Sequence, residues 1–336
     1  MIFFPRSINL LSEEEVEHIH RHSLKLLEKM GMIVQDEDIL KLLKEAHCNV
    51  DFATQKVRIE PGIVENALET IPHEIRLCGR NEKKDIVLDG TRFYARPVGG
   101  PPNMVDIETR QRRPAVREDI AVCARLTDAL DNMHVGTMFN AVPLIPFLDV
   151  YDATISFNNT EKHLFYICHN KSLIEPVLEI ASTVAGGERE LRERPLISGL
   201  VESLSPLRLE EVNAANLKSF ARRGLPIAIH SHPIAGISCP VTLSDELVVL
   251  NAEILMMTTI IQLFEPGTPV TYGIAASVPD MRSALNLAGS VEVSLLACAG
   301  AQLARRYGMR SITTAGTDSH ATDGQASMER LLTSLV

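Results

Sequence analysis

Short apolar runs bounded by proline, glycine or charge recur through the second half of the chain, and a helical pattern follows each of them. The runs cover residues 133–139, 164–168, 196–201, 227–230, 270–274 and 311–315. Runs this short, apolar on both faces, suit buried strands of a parallel sheet. The stretches after them predict helices over 150–158, 173–185, 209–223, 244–263, 287–307 and 325–335. Ser172 and Ser244 stand where side chains cap helices, and Gly224 and Gly308 where left-handed residues end them. This alternation specifies an α/β fold with a parallel sheet.

The first 130 residues read differently. Ser12 and Glu15 form a capping box ahead of a helix that Gly31 ends. Asp36 can cap a second helix, and Pro61 suits the first turn of a third that runs to Thr70. The stretch "DIVLDGTRFYARP" predicts a hairpin turning at Asp89-Gly90. "PVGGPPNMVDIETRQRRPAV" is a Gly/Pro-rich excursion that no simple core requires, and a helix covers 117–131. The expected domains are therefore an N-terminal helical and hairpin annex, 1–130, and six βα units, 131–336. A (β/α)₈ barrel needs eight units and typically about 250 residues. Six would leave two strand edges open, which is an aggregation hazard. The reading is a TIM (β/α)₈-type barrel, incomplete here, with an open doubly wound sheet as the alternative.

Composition narrows the function. A net charge of −10 over 336 residues argues against nucleic acid, which needs clustered Lys and Arg. No run of 18 apolar residues predicts a membrane span, and the apolar run before Pro5 is too short for a signal peptide, so the expected location is the cytoplasm. The six cysteines are scattered with no CxxC, as reduced thiols would be. There is no GxGxxG and no P-loop, so a nucleotide fold has little support.

Chemistry in such folds gathers at the C-terminal ends of strands. There the chain carries "VESLSPLRL" with Glu202 and Ser203, "HSHPIAGISCPVTL" with His230 and His232, "YGIAASVPDM" with Tyr272 and Asp280, and "GTDSHATD" with Asp318, His320 and Asp323. Acids and imidazoles thus converge on one rim. His230 and His232 have metal-ligand spacing on a strand, where both point one way. A polar loop with one His bonded to backbone would read the same. Asp318 could equally cap a helix. His18 and His22 stand one turn apart on a helix whose other faces are rich in Glu, and they read as solvated. Asn251 and Glu253 are polar positions in an apolar helix, so they either reach the rim or pin a neighbouring helix.

"LSEEEVEHIHRHSLKLLEKMGMIV", "VESLSPLRL", "CPVTLSDELVVLNAEILMMTTIIQLFEPGTPVTYG" and "DGQASMERLLTSL" together resemble the trimethylamine methyltransferase family over almost the whole chain, with 240–273 the most specific stretch. The resemblance implies a (β/α)₈ barrel of methylamine metabolism in methanogens and some anaerobic bacteria. It implies transfer of a methyl group from trimethylamine to the Co(I) of a cognate corrinoid protein. The corrinoid would be carried by that partner, with none held tightly by this chain, and a homo-oligomer is expected. Family members are longer and include pyrrolysine enzymes read through an amber codon. The expectation is that Val336 lies at or near that position, and that the chain as given is inactive.

Methyl transfer to Co(I) is a nucleophilic displacement, and a neutral amine is a poor methyl donor because its leaving amide is very basic. The nitrogen must be made positive, which asks for a carboxylate or imidazole that holds a proton. By place and type, Glu202, His230, Asp318 and His320 are the catalytic candidates. Tyr94, Phe139 and Tyr272 could offer faces to a methylammonium group. No metal is expected on His230 and His232. The alternatives are a glycine betaine or other quaternary-amine corrinoid methyltransferase and, outside the family, a metal-dependent barrel hydrolase using His230, His232, Asp318 and His320.

Overall fold

The structure is a computed structural model that describes residues 8–100, 102–106, 108–138 and 146–334. The six expected strands form: β1 (Val135–Thr137), β2 (His163–Ile167), β3 (Ile197–Ser203), β4 (Ile227–Ser231), β5 (Val270–Ile274) and β6 (Arg310–Thr313). The helices that follow are α1 (Leu148–Asn159), α2 (Ile174–Ala185), α3 (Glu211–Ala221), α4 (Leu243–Phe264), α5 (Val291–Arg306) and α6 (Gly324–Ser334), with a short additional helix, Glu188–Glu193, after α2. Phe139, expected at the end of the first strand, lies outside the described residues.

The strands run in one sheet in strict chain order, β1 to β6. The pairs β1–β2, β2–β3 and β5–β6 are parallel, with Ile197 opposite Leu164 and Gly273 opposite Ile312. A doubly wound sheet would reverse its strand order. None of the six strands does so, and the sequence of strands fits an incomplete barrel.

Two compact units divide the chain: Met1–His73 with Glu202–Ala214 and Ala228–Val336, and Glu74–Val201 with Ala215–Ile227. In the first unit, helix Glu13–Lys29 begins at the Ser12–Glu15 capping box and Asp36 caps Glu37–Glu45, both as the sequence predicts. Helices Glu13–Lys29 and Pro61–Leu68 pack against α4. A chain of buried hydrogen bonds joins them. Asn251 Nδ2 donates to Ser23 Oγ and to the Tyr307 hydroxyl, at 3.0 and 2.9 Å. The Tyr307 hydroxyl meets His20 Nδ1 at 2.9 Å, and His20 Nε2 meets Glu65 at 2.8 Å. Asn251 therefore pins neighbouring helices, one of the two roles its place in an apolar helix allowed. At 22 residues α4 is long and apolar enough to cross a membrane, but 83% of its most apolar window is buried by the protein itself. It is the core helix of this unit.

In the second unit, the base of β2 is a polar anchor. Lys162, 4% exposed, donates from Nζ to the carbonyls of Thr127, Leu130 and Met133 at 2.6, 2.8 and 2.6 Å. These carbonyls close the C-terminal end of helix Arg117–Ala129, where a cation is favoured and orphan acceptors need donors. Lys162→Met should cost about 2 kcal/mol, the usual scale for a buried charged hydrogen bond. Urea unfolding checks it, and an unchanged midpoint would refute the anchor. The next residue, His163, lies fully buried between Pro195 O (2.9 Å) and Ser198 Oγ (2.9 Å).

Two local expectations are corrected. The hairpin at Asp89-Gly90 does not form: Ile86–Leu88 pairs antiparallel with Ile75–Leu77, upstream of the turn. Asp89 instead accepts from the Thr91 amide and hydroxyl at 2.8 and 2.7 Å, so the turn signal is spent on a local Asx turn. The Gly/Pro-rich excursion carries its own small hairpin, Asn103–Val105 with Arg112–Pro114. The cap expected at Ser244 sits two residues earlier, at Thr242, whose side chain accepts from the Asp245 amide. In place of a cap at Ser172, the Asn170 side chain accepts from the Ser172 amide and opens a 3₁₀ turn, Lys171–Leu173, that leads into α2. Gly224 and Gly308 do take left-handed φ values, +64° and +68°.

Candidate functional site

Strand alternation builds the site. Along a strand successive side chains face opposite ways. At the end of β4, His230 and His232, the residue just past the strand, fall on one side while Ser231 takes the other. On β3, Glu202 and Ser203 divide in the same way. Glu202 Oε1 lies 3.3 Å from His232 Nε2 and 3.8 Å from His230 Nδ1. The two imidazoles lie nearly parallel, with centroids 6.2 Å apart and 22° between planes. His230 is almost buried, at 8% side-chain exposure, whereas Glu202 and His232 are at 39% and 51%. The group thus runs from the interior outwards.

The opposite faces of the same strands end on one carboxylate. Glu253 of α4 is fully buried and accepts from the hydroxyls of Ser203, Ser205 and Ser231 and from the Leu207 amide, at 2.5, 2.7, 2.6 and 2.7 Å. Each of these serines is a chain neighbour of a site residue or lies in the turn that follows. A polar residue in an apolar helix was the visible signal, and Glu253 does reach the rim, but its partners lie 22 to 50 residues away in sequence. Asn213 Oδ1 accepts from the Glu202 amide at 2.9 Å and fixes the backbone there. Gly273 on β5 makes room for the deepest member: a Cβ there would stand 2.0 Å from the His230 ring and 2.3 Å from Ile229 O. The glycine of "VTYG" is a space requirement that residue type alone does not announce.

In the first turn of α4, Glu246 is fully buried, and its Oε1 accepts from the Ser277 amide at 3.1 Å. Burial pushes its carboxyl up to about 7. Burial, with Glu246 and Glu253 nearby, pushes the Cys239 thiol up to about 12, so Cys239 is not a thiolate at neutral pH.

The other candidates have different surroundings. Asp318 accepts from the amides of Ala288 and Gly289 at 2.7 and 3.0 Å, tying its loop to the segment ahead of α5. His320 is exposed. Tyr272 is fully buried, its hydroxyl donating to Asn251 Oδ1 at 2.9 Å. Tyr94, in the other unit, is half-buried with its ring edge-on to His134. Among the described residues, the His, Cys, Asp and Glu side chains that converge closely enough to share one cation are Glu202, His230 and His232. Asp318 and His320 are outside that group. His18 and His22 are exposed and stacked on each other, as a solvated face allows.

Six strands in chain order, with an acid and two imidazoles at the ends of β3 and β4, make an α/β sheet that fits an incomplete barrel. The sequence profile described as Trimethylamine methyltransferase (MTTB) matches residues 4–335, and the chain belongs to that family. It is 34% identical to "Trimethylamine methyltransferase MttB" of Desulfitobacterium hafniense (strain DSM 10664 / DCB-2) over 96% of this chain and 66% of that protein. It is 31% identical to "Glycine betaine methyltransferase" of Desulfitobacterium hafniense (strain Y51), over 97% and 68%. It is also 31% identical to "Trimethylamine methyltransferase MttB" of Methanosarcina thermophila, over 98% and 70%. The chain spans about two thirds of the length of these curated relatives.

Proposed function

We propose that this sequence serves a corrinoid-dependent methyltransferase that moves a methyl group from a methylated amine to the Co(I) of a partner corrinoid protein. Trimethylamine is the first reading of the amine, and a quaternary amine such as glycine betaine the second, because relatives with both names match at similar identity. The carrying observation is the placement of Glu202 against His230 and His232 at the ends of β3 and β4. Displacement by Co(I) needs a nitrogen that leaves as a neutral amine. Glu202 can hold a positively charged nitrogen, and the adjacent imidazoles can carry the proton that makes it so. Membership in a methyltransferase family supports this over a metal-dependent hydrolase.

The test is a spectroscopic assay of Co(I) methylation, using the gene product that carries this sequence, its corrinoid protein, and trimethylamine or glycine betaine. Glu202→Gln keeps the shape and removes the charge. It should lower the rate at saturating amine about 10²-fold, the lower end for a lost acid–base group. An unchanged rate would remove Glu202 from the chemistry. Turnover with glycine betaine alone would select the quaternary amine.

A further inference from the structure

We propose that Glu202, His230 and His232 bind one divalent metal ion of the zinc type and leave a coordination position open at the rim. Two imidazoles and one carboxylate are a donor set that catalytic zinc uses, and three protein ligands leave a fourth position for substrate or water. The spacing fits. Ligand bonds of about 2.0–2.1 Å in a tetrahedron set neighbouring ligand atoms roughly 3.3–3.4 Å apart. The Glu202–His232 separation is 3.3 Å and the Glu202–His230 separation 3.8 Å, and all three ligand atoms lie within 4.8 Å of one another. Small side-chain rotations close what remains.

The surroundings are those of a prepared site. His230 lies on β4 and His232 just past its end on the same side, the Gly273 slot admits the His230 ring, and Asn213 holds the Glu202 backbone. Glu253 ties down Ser203 and Ser231, the residues next to the ligands. Ligands carried on rigid elements and supported from behind are what a metal site requires. His232 and Glu202 are partly open, which gives an entry path. The expectation of no metal on His230 and His232 rested on methyl transfer to cobalt needing no second metal in the amine site; the convergence of Glu202 on the two imidazoles points the other way.

This rests on the methyltransferase reading for the purpose of the open position, and with the ion bound the metal takes over from the imidazole proton as the source of positive charge on the nitrogen. A tertiary amine that gives its lone pair to the metal acquires the positive charge that displacement needs. A quaternary nitrogen has no lone pair, so glycine betaine could reach the metal only through its carboxylate.

Untagged, metal-free chain titrated with Zn²⁺ by calorimetry should take up one ion, and Co²⁺ should give the intense visible bands of a four-coordinate site. His232→Ala and Glu202→Gln should abolish both signals, while His320→Ala should leave them intact. Circular dichroism confirms the folds, and the half-exposed His232 decides alone if Glu202→Gln unfolds. Absence of stoichiometric binding, or its survival in His232→Ala, overturns the proposal. Trimethylamine should shift the Co²⁺ bands, and bands that stay fixed refute a substrate-facing position. Slower methylation by Glu202→Gln without any metal binding would sink the metal and leave the methyltransferase reading standing. Metal binding without methyl transfer would do the reverse.

Discussion

Glu253→Ala is expected to be the most damaging single substitution near the site, costing about 4 kcal/mol, roughly 1 kcal/mol for each of the hydrogen bonds from Ser203, Ser205, Ser231 and Leu207 that it removes. The loss is that of a shared acceptor. Three serine hydroxyls and the Leu207 amide all end on this carboxylate. Removing it leaves donors at two strand ends and in one turn without their partner, with Ser203 and Ser231 buried and Ser205 and Leu207 half-buried. Glu253→Gln should cost less, because an amide keeps one acceptor oxygen, yet its NH₂ must face hydroxyls oriented to donate. The loss of order should be concentrated at the site, since Ser203 follows Glu202 and Ser231 separates His230 from His232. Urea unfolding measures the cost, and hydrogen exchange at residues 202–207 and 230–232 locates it. A Glu253→Ala protein within 1 kcal/mol of wild type, with exchange unchanged there, would show that the serines find other acceptors and that Glu253 does not hold the site (1 kcal/mol being the ordinary effect of a point substitution).

How much of this was legible in the sequence depends on range. Local signals were readable. Val270–Ile274 was located to the residue, α4 begins and ends within one residue of its expected span, and the Ser12–Glu15 box forms as predicted. These elements are dictated by period, capping and length, all contained in a short window. The order of the six strands followed from the βα rhythm, because parallel neighbours joined by a helix leave few arrangements. What failed locally was competition among signals. Asp89-Gly90 is a strong hairpin dipeptide, but the apolar partner of Ile86–Leu88 lies upstream in Ile75–Leu77.

The site was half legible for a different reason. Strand ends pointed to Glu202 and His230, and strand period put His232 beside them. Nothing local says that Asp318 serves two backbone amides, or that the Tyr272 hydroxyl ends on Asn251 in the core. Those choices are made by groups 21 to 30 residues away. Glu253 and Asn251 were conspicuous as polar residues in an apolar helix. Their partners became visible only when the strands and the N-terminal helices were in place.

Between pH 4.5 and 6.5 two buried groups should pull the stability in opposite directions, and single substitutions should separate them. Burial pushes His163 down to about 4. The unfolded chain binds this proton below about 6.5, so the stability His163 contributes is complete above that pH and is lost as pH falls towards 4. Burial pushes Glu246 up to about 7. Its unfolded form ionises near 4.3, so its contribution is complete below that pH and is lost as pH rises through 7. Each effect has a slope of about 1.4 kcal/mol per pH unit and a span of about 3 kcal/mol. In the shared window the two slopes nearly cancel. Glu246→Gln removes one of them, so its stability should fall more steeply than wild type on acidification. At pH 8 it should be the more stable protein, since wild type then buries an ionised carboxylate. His163→Asn, whose amide can still donate to Pro195 O, should do the opposite and gain relative to wild type as pH drops from 6.5 to 4.5. All other titrating groups are common to the three proteins, so differences between their urea midpoints across pH 4.5–8 isolate the two residues. If Glu246→Gln tracks wild type at every pH, Glu246 does not titrate near neutrality in the folded protein. If His163→Asn tracks it, His163 is not held neutral by burial.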